Sequence, residues 1–181
     1  MVHAQIVRKR FRNRHSHSEV GDALYYGSVF CPLSEDFPIQ GGMTYDGVTM
    51  NTAKHHFCYQ LAKYSNDMAA AAAIANYYTT VSMACRIASR VRFDERWERE
   101  CVDKLVEITM VKFADPTLRD FLLATGDKTI YRAVRHNRTN GIGVNEYFAS
   151  RGAKHRGRNC FGRVLMLARK RLRADRDADR V

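Results

Sequence analysis

The sequence lacks any long apolar run. No stretch of the 181 residues approaches the roughly 18 to 20 consecutive apolar residues that a membrane-spanning helix needs. The first residues, MVHAQIVRKRF, also lack the apolar segment of a secretory signal. A hydrophobic content of 45% in a chain of this length is typical of one globular domain with its own core. We therefore expect a soluble, intracellular, cytoplasmic protein that has no membrane partner.

Closely spaced cysteine pairs are also missing. The five cysteines are an odd number and contain no C-x-x-C pair. This pattern predicts neither a disulfide framework nor a zinc site, so we expect reduced thiols, no metal and no cofactor. Cys85 and Cys101 fall on the apolar faces of predicted helices, where a buried and unreactive thiol is expected.

Acidic residues are absent from two segments, residues 1–18 and 151–173. These segments hold 14 of the 30 lysines and arginines. The rest of the chain holds the other 16 together with all 19 acidic residues. Such basic segments attract nucleic acid, acidic proteins or phosphate-bearing ligands. A solubilising arm and a solvated helix face are the alternative. We interpret residues 1–18 as a flexible arm and residues 174–181 as a charged tail that does not pack. The candidate polyanion-binding residues of the arm are Arg8, Lys9, Arg10, Arg12 and Arg14.

Hydrophobic periodicity predicts an α+β fold that is predominantly helical and has a few short strands. Four helix starts carry an N-cap signal: Thr52, Asp67, Asp94 and Asp115, the last followed by Pro116. Strands are predicted over residues 23–30, 43–50 and 129–134, with a turn at 46–47. Helices are predicted over residues 53–64, 68–78, 80–91, 94–113, 116–125 and 158–173.

The segment of residues 112–127, KFADPTLRDFLLATGD, is the most specific motif of the chain. One helix ends before Pro116 and another ends at Gly126, a residue suited to the left-handed stop of a helix. Later, residues 157–173 contain GRN, then Gly162, a Leu-Met pair and Arg169. Upstream, Asp46 and Gly47 precede a histidine at position 55. Together these motifs resemble the NADAR (YbiA-like) family over roughly residues 30–173.

The resemblance implies one NADAR-like domain over residues 19–173 that cleaves an N-glycosidic bond in ADP-ribosyl or phosphoribosyl substrates. It assigns ligand or phosphate binding to six residues: Lys63, Gly126, Gly141, Gly143, Arg158 and Asn159. Gly141 and Gly143 offer backbone amides to a phosphate, or else form a flexible loop. At the start of the final helix, unpaired amides, the helix dipole and the Arg158 guanidinium together predict an anion site.

The catalytic assignment depends on the alignment register at the start of the helix over residues 53–64. The family's glutamate falls on Lys54 in one register and on His56 in the other, and neither restores a carboxylate. In the first register the family's histidine falls on His55. Lys54 either serves as an amine nucleophile or marks a fold that was reused without catalysis. We take Lys54, His55, His56 and Asp127 as the catalytic candidates.

Several residues and functions have a second interpretation at this stage. Asp46 and Asp94 are acid/base candidates that also serve as a turn residue and a helix cap. Trp97 either packs in the core or stacks on a ligand. The alternative function is a catalytically inactive protein of a nucleoprotein assembly, such as a virus particle or a ribosome-like complex, and a third is an ADP-ribose reader without turnover.

Overall fold

The computed structural model describes residues 17–178, and the five basic arm residues at positions 8–14 lie outside this range. The described residues form five strands and seven helices. The strands are β1 (Ser18–Val20), β2 (Ala23–Tyr26), β3 (Met43–Tyr45), β4 (Val48–Met50) and β5 (Thr129–Arg132). The helices are α1 (Ala53–Tyr64), α2 (Met68–Ala75), α3 (Val81–Ala88), α4 (Glu95–Lys112), α5 (Pro116–Leu123), α6 (Glu146–Ala149) and α7 (Cys160–Ala178). The predicted fold class, α+β with mostly helices, is confirmed.

The backbone divides into two compact units, which we call the continuous unit (Glu35–Lys112) and the discontinuous unit (residues 17–34 and 113–178). In the continuous unit, β3 and β4 form an antiparallel hairpin whose turn contains Asp46 and Gly47. Helix α1 follows, and the Thr52 side chain accepts a hydrogen bond from the His55 amide, as expected of an N-cap. Helix α1 then packs against α2, α3 and α4.

The core of the continuous unit combines small and aromatic side chains. Ala62, Ala71 and Ala84 are fully or almost fully buried where α1, α2 and α3 meet. Side chains of this size let helix backbones approach closely, which explains the alanine-rich sequence of α2. Trp97 of α4 is buried, and its ring centroid lies 5.4 Å from that of Phe57. The core interpretation of Trp97 therefore fits its position in this unit.

The discontinuous unit is built on a three-stranded sheet of order β1-β2-β5. Strands β1 and β2 are antiparallel, whereas β2 and β5 are parallel, with Leu24 opposite Ile130. Helix α7 packs against β5 and α5. Its buried face repeats at helical spacing: Phe161, Val164, Leu165, Ala168 and Leu172. This is the face that the sequence periodicity predicts.

Several predicted boundaries were wrong. The first predicted strand ends at Tyr26, and α2 ends at Ala75 because Asn76 adopts an extended conformation. Strand β1 begins inside the predicted arm, and α6 lies in a segment predicted to be irregular. The final helix starts at Cys160 and continues to Ala178, so part of the predicted tail is helical with exposed side chains. Over residues 17–178, no helix has both the length and the apolar character needed to cross a membrane.

Candidate ligand cavity and catalytic groups

The continuous unit contains a polar cavity of about 610 Å³. Three elements supply its walls: the β3–β4 turn, the second half of α1, and the first half of α4. The lining residues are Tyr45, Asp46, Gln60, Lys63, Tyr64, Asn66, Arg96 and Lys104. Gln60, Lys63 and Tyr64 face the same space because residues three and four apart lie on one side of a helix. The volume is within the range of small-molecule sites.

Asp46 is the central acidic group of this cavity. It occupies the hairpin turn with a φ of 55°, a conformation that aspartate tolerates better than most residues. Gln60 Nε2 and Lys63 Nζ donate to its Oδ2 atom at 2.9 and 2.5 Å. These two bonds hold the pKa of the Asp46 carboxyl below its usual value, and they raise the pKa of Lys63. Both donors use Oδ2, so Oδ1 receives no hydrogen bond from residues 17–178.

Paired cations and phenols supply most of the other groups that line the cavity. The Arg96 guanidinium lies 4.5 Å from the centre of the Tyr64 ring, and the Tyr64 hydroxyl donates to Glu100. Lys104 forms an ion pair with Glu107 at 2.9 Å, and the same carboxylate accepts a hydrogen bond from Tyr45. Burial and the Glu107 carboxylate raise the pKa of Tyr45 to about 12. The Tyr45 phenol therefore keeps its proton at neutral pH.

The three catalytic candidates at the start of α1 do not line this cavity. His55 and His56 are buried and donate from Nε2 to backbone carbonyls, His55 to Ile74 at 2.9 Å and His56 to Met43 at 2.8 Å. These bonds join α1 to α2 and to the hairpin. Burial lowers the pKa of His56, so its ring is neutral near pH 7. Their catalytic role stays a prediction.

Lys54 lies beside two acidic residues that the motif comparison missed. Its amide donates to the carbonyl of Glu35 at 2.9 Å, and the Glu35 side chain is buried. The charges of Lys54, Asp36 and Glu35 all shift the pKa of the Cys85 thiol. Carboxylates are therefore present near Lys54, although α1 supplies none in its first turn.

In the discontinuous unit, the predicted Thr125-Gly126-Asp127 loop is held by two arginines of α7. The buried Arg169 donates from Nη1 to the Thr125 hydroxyl at 2.8 Å and to the Lys128 carbonyl at 2.9 Å. Arg173 donates to the Asp127 carboxylate and the Gly126 carbonyl, each at 2.6 Å. The Arg173 contact lowers the pKa of the exposed Asp127 carboxyl. Asp127 is thus a poor proton donor near neutral pH.

The expected anion site at the start of α7 lacks its unpaired amides. The amides of Arg158, Asn159, Cys160 and Phe161 donate to the carbonyls of Arg138, Gly141, Thr139 and Asn140, respectively. The Asn159 side chain is also occupied, since its Oδ1 accepts from the Arg132 amide and its Nδ2 donates to the Ile130 carbonyl. A ligand role of Arg158 therefore depends on its exposed guanidinium. Asn159 positions β5 against α7.

Gly141 and Gly143 have different positions in this unit. A Cβ atom at Gly141 would lie 2.7 Å from the carbonyl oxygen of Arg132, so the residue serves close backbone packing. Gly143 lines a second cavity of about 390 Å³. Three cations line that cavity, Arg135, Lys154 and Arg156, and none of them pairs with a carboxylate of residues 17–178. We call this the basic cavity.

Sequence reasoning located Asp46 and Lys63 but missed Arg96 and Lys104, which also line the first cavity. Both lie on the polar face of α4, where the only signal is a charge pattern that most surface helices share. No group of three or more histidine, cysteine, aspartate or glutamate side chains within residues 17–178 is arranged to hold a metal ion.

Comparisons with known proteins agree with this architecture. The NMR structure of the E. coli protein YbiA matches with a TM-score of 0.66 and 21% identity, covering 90% of this chain and 92% of that chain. This likeness shows a shared fold. No match is found among the curated proteins. The model of the NADAR domain matches residues 13–173, nearly the whole described chain, and the chain therefore belongs to the NADAR domain family.

Proposed function

We propose that the cavity of the continuous unit binds an ADP-ribosyl or phosphoribosyl ligand and that the protein cleaves its N-glycosidic bond. One observation supports this proposal: a single cavity of about 610 Å³ is lined by two tyrosines together with Asp46, Lys63, Arg96 and Lys104. Such a ligand carries phosphate groups, sugar hydroxyls and a base. Ammonium and guanidinium groups suit the phosphates, and the tyrosine rings suit the base or the sugar face.

The chemistry follows from the charge of Asp46. Cleavage of an N-glycosidic bond passes through an oxocarbenium-like state, which a nearby carboxylate stabilises. Because Lys63 and Gln60 keep Asp46 ionised, its Oδ1 atom can face that positive charge or accept a proton from the attacking water. The water adds to the anomeric carbon, and the nitrogen leaves with a proton. The Lys63 ammonium is the nearest proton donor to this carboxylate.

The test is turnover of ADP-ribosyl and phosphoribosyl conjugates by three proteins: the parent chain, Asp46→Asn and Asp103→Asn. Asp46→Asn keeps the shape of the side chain and removes its charge, so release of the sugar phosphate should fall by about 100-fold or more. Asp103 is exposed on α4 outside the cavity, and its substitution should leave turnover unchanged. Turnover that survives in Asp46→Asn would exclude this role of the carboxylate.

Two further measurements separate binding from catalysis. Excess ADP-ribose should raise the thermal midpoint of the parent protein, since a ligand at a hundredfold its dissociation constant adds about 2.7 kcal/mol. A rise in the thermal midpoint without any turnover would indicate that the protein binds ADP-ribose as a reader and does not hydrolyse it. If Lys54→Ala abolishes turnover and Asp46→Asn does not, the chemistry lies at the start of α1.

A second function, binding to nucleic acid within a larger assembly, is favoured by the discontinuous unit. Seven basic residues between positions 151 and 171 are exposed: Arg151, Lys154, Arg156, Arg158, Arg163, Lys170 and Arg171. No acidic residue interrupts this segment. Two of these residues, Lys154 and Arg156, line the basic cavity together with Arg135 and the exposed ring of Phe148. Unpaired cations beside an aromatic ring suit a phosphate backbone with an unstacked base.

Binding of a fluorescent single-stranded oligonucleotide tests this second function. The affinity should fall steeply as salt rises, because phosphate contacts release counterions. The double substitution Lys154→Gln with Arg156→Gln should weaken binding and reduce the salt slope. Arg99→Gln is the matched control, since Arg99 is equally exposed but pairs with Glu95 in the continuous unit. Deletion of residues 1–18 tests whether the basic arm contributes to oligonucleotide binding, in which case the affinity should fall. Binding that is absent or independent of salt would rule out this function.

A further inference from the structure

Two cysteines that are distant in sequence meet in the core of the continuous unit. Cys58 lies on α1 and Cys85 on α3, and their Sγ atoms are 3.8 Å apart in thiol–thiol contact. Cys58 is buried, whereas Cys85 is half-buried. Cys85 and Cys101 are therefore less buried than expected, and their expected lack of reactivity stays a prediction.

The surroundings of the pair distinguish the two sulfur atoms. The contact with Cys58 is the main cause that lowers the pKa of the Cys85 thiol, and the Lys54 charge lowers it further. Partial burial and the charges of Asp36 and Glu35 oppose this shift. The same contact and deeper burial raise the pKa of Cys58. Of the two thiols, Cys85 therefore loses its proton more readily than Cys58.

We propose that Cys58 and Cys85 form a reversible intramolecular disulfide when the protein meets a hydroperoxide. A disulfide needs the two sulfur atoms about 2.05 Å apart, so each must move by less than about 1 Å from the observed contact. The two side chains lie on helices that pack against each other, so the bond would close a contact that already exists. The proposal rests on this contact and is independent of any glycosidase activity.

The reaction has two steps and uses one peroxide. The Cys85 thiolate attacks the peroxide oxygen, the O–O bond breaks, and an alcohol or water leaves as Cys85 becomes a sulfenic acid. Cys58 then attacks the Cys85 sulfur through its own sulfur, loses its proton and expels water. Two thiols have lost two electrons, and the peroxide has gained them. An external dithiol reverses the change.

The other three cysteines serve as internal controls. Cys31 is fully buried, the Cys101 thiol donates weakly to the Glu98 carbonyl, and Cys160 lies at the start of α7. The sulfur–sulfur contact on which the proposal rests joins Cys58 and Cys85, so the cross-link requires none of the other three. Selective oxidation of one pair out of five thiols is therefore the specific expectation.

The experiment treats the reduced full-length protein with an equimolar amount of hydrogen peroxide and then alkylates the remaining thiols. Intact mass should show three alkylated cysteines where the reduced protein shows five. A tryptic digest should contain one cross-linked species that joins residues 55–63 to residues 64–86. Addition of dithiothreitol should restore five alkylation sites.

Two variants and one condition make the result decisive. Cys58→Ser should leave a sulfenic acid on Cys85 that dimedone traps, and Cys101→Ser should form the same cross-link as the parent protein. Unfolding in urea before oxidation should abolish the selectivity, because the contact depends on the fold. A cross-link between other cysteines, equal oxidation of all five thiols, or no cross-link in the folded protein would overturn the proposal.

Discussion

The side chain of Asn159 bonds to the backbone of β5 on both of its polar atoms. Its Nδ2 donates to the Ile130 carbonyl at 2.8 Å, and its Oδ1 accepts from the Arg132 amide at 2.9 Å. Asn159 itself has a φ of 56° just before α7 begins. One residue therefore ends the preceding loop and joins the final helix to the parallel strand of the sheet.

Asn159→Ala should reduce the stability of the folded protein. The substitution leaves a buried amide and a buried carbonyl without partners, and each costs about 1–3 kcal/mol. The free energy of unfolding from urea titration measures the effect. Arg158→Ala is the control, because the neighbouring side chain is exposed and its loss should change stability by less than about 0.5 kcal/mol. Equal effects of both substitutions would exclude this positioning role.

Gly162→Ala should be more destabilising than Gly126→Ala. A Cβ atom at Gly162 would lie 2.2 Å from the Ile130 oxygen and 2.4 Å from Asn159 Nδ2, so α7 must move away from β5. At Gly126 no atom lies within 4 Å, but φ is +60°, and a left-handed alanine costs about 1–2 kcal/mol. Comparative urea titrations of the two variants test the order. The reverse order would contradict the close packing of α7.

His56 should make stability depend on pH below neutrality. Burial lowers its pKa in the folded protein, the Met43 carbonyl and Asp46 oppose this shift, and His55 adds to it. Because the unfolded state binds the proton more readily, the stabilising contribution is complete above about pH 6.5 and falls as the pH drops towards the folded pKa. His56→Gln should flatten the slope between about pH 7 and pH 5.

The parent protein, titrated over the same pH range, is the reference for this slope. If His56→Gln retains the full slope, another group is responsible for it.

Arg169→Lys should loosen the loop of residues 125–128. The planar guanidinium reaches both the Thr125 hydroxyl and the Lys128 carbonyl, and a lysine ammonium does not match that geometry. A loss of about 1–3 kcal/mol is expected, together with faster hydrogen exchange of the loop amides. Arg171→Lys, at an exposed position of the same helix, is the control. Unchanged exchange in Arg169→Lys would show that Arg173 alone holds the loop.

Local signals predicted most of the helix starts. Thr52, Asp67 and Asp115 each accept a hydrogen bond from an amide three residues later, and Asp94 does the same for Trp97. These caps are visible in the sequence because they depend on neighbours within one turn. Short elements were missed for the opposite reason. Strand β1 has three residues and α6 has four, too few to show a period.

The sequence by itself determined the family, the fold class and the motif residues Asp46 and Lys63, because these depend on patterns along the chain. Only the tertiary structure decided which groups meet. It brought Asp46 to Lys63, Arg96 to Tyr64, and Cys58 to Cys85. It also showed that the first amides of α7 are already paired. Each of the three side-chain contacts joins residues 17 or more positions apart, and the amide pairing depends on how a loop folds back. Helix packing determines which distant residues meet, and the local periodicity of the sequence does not report it.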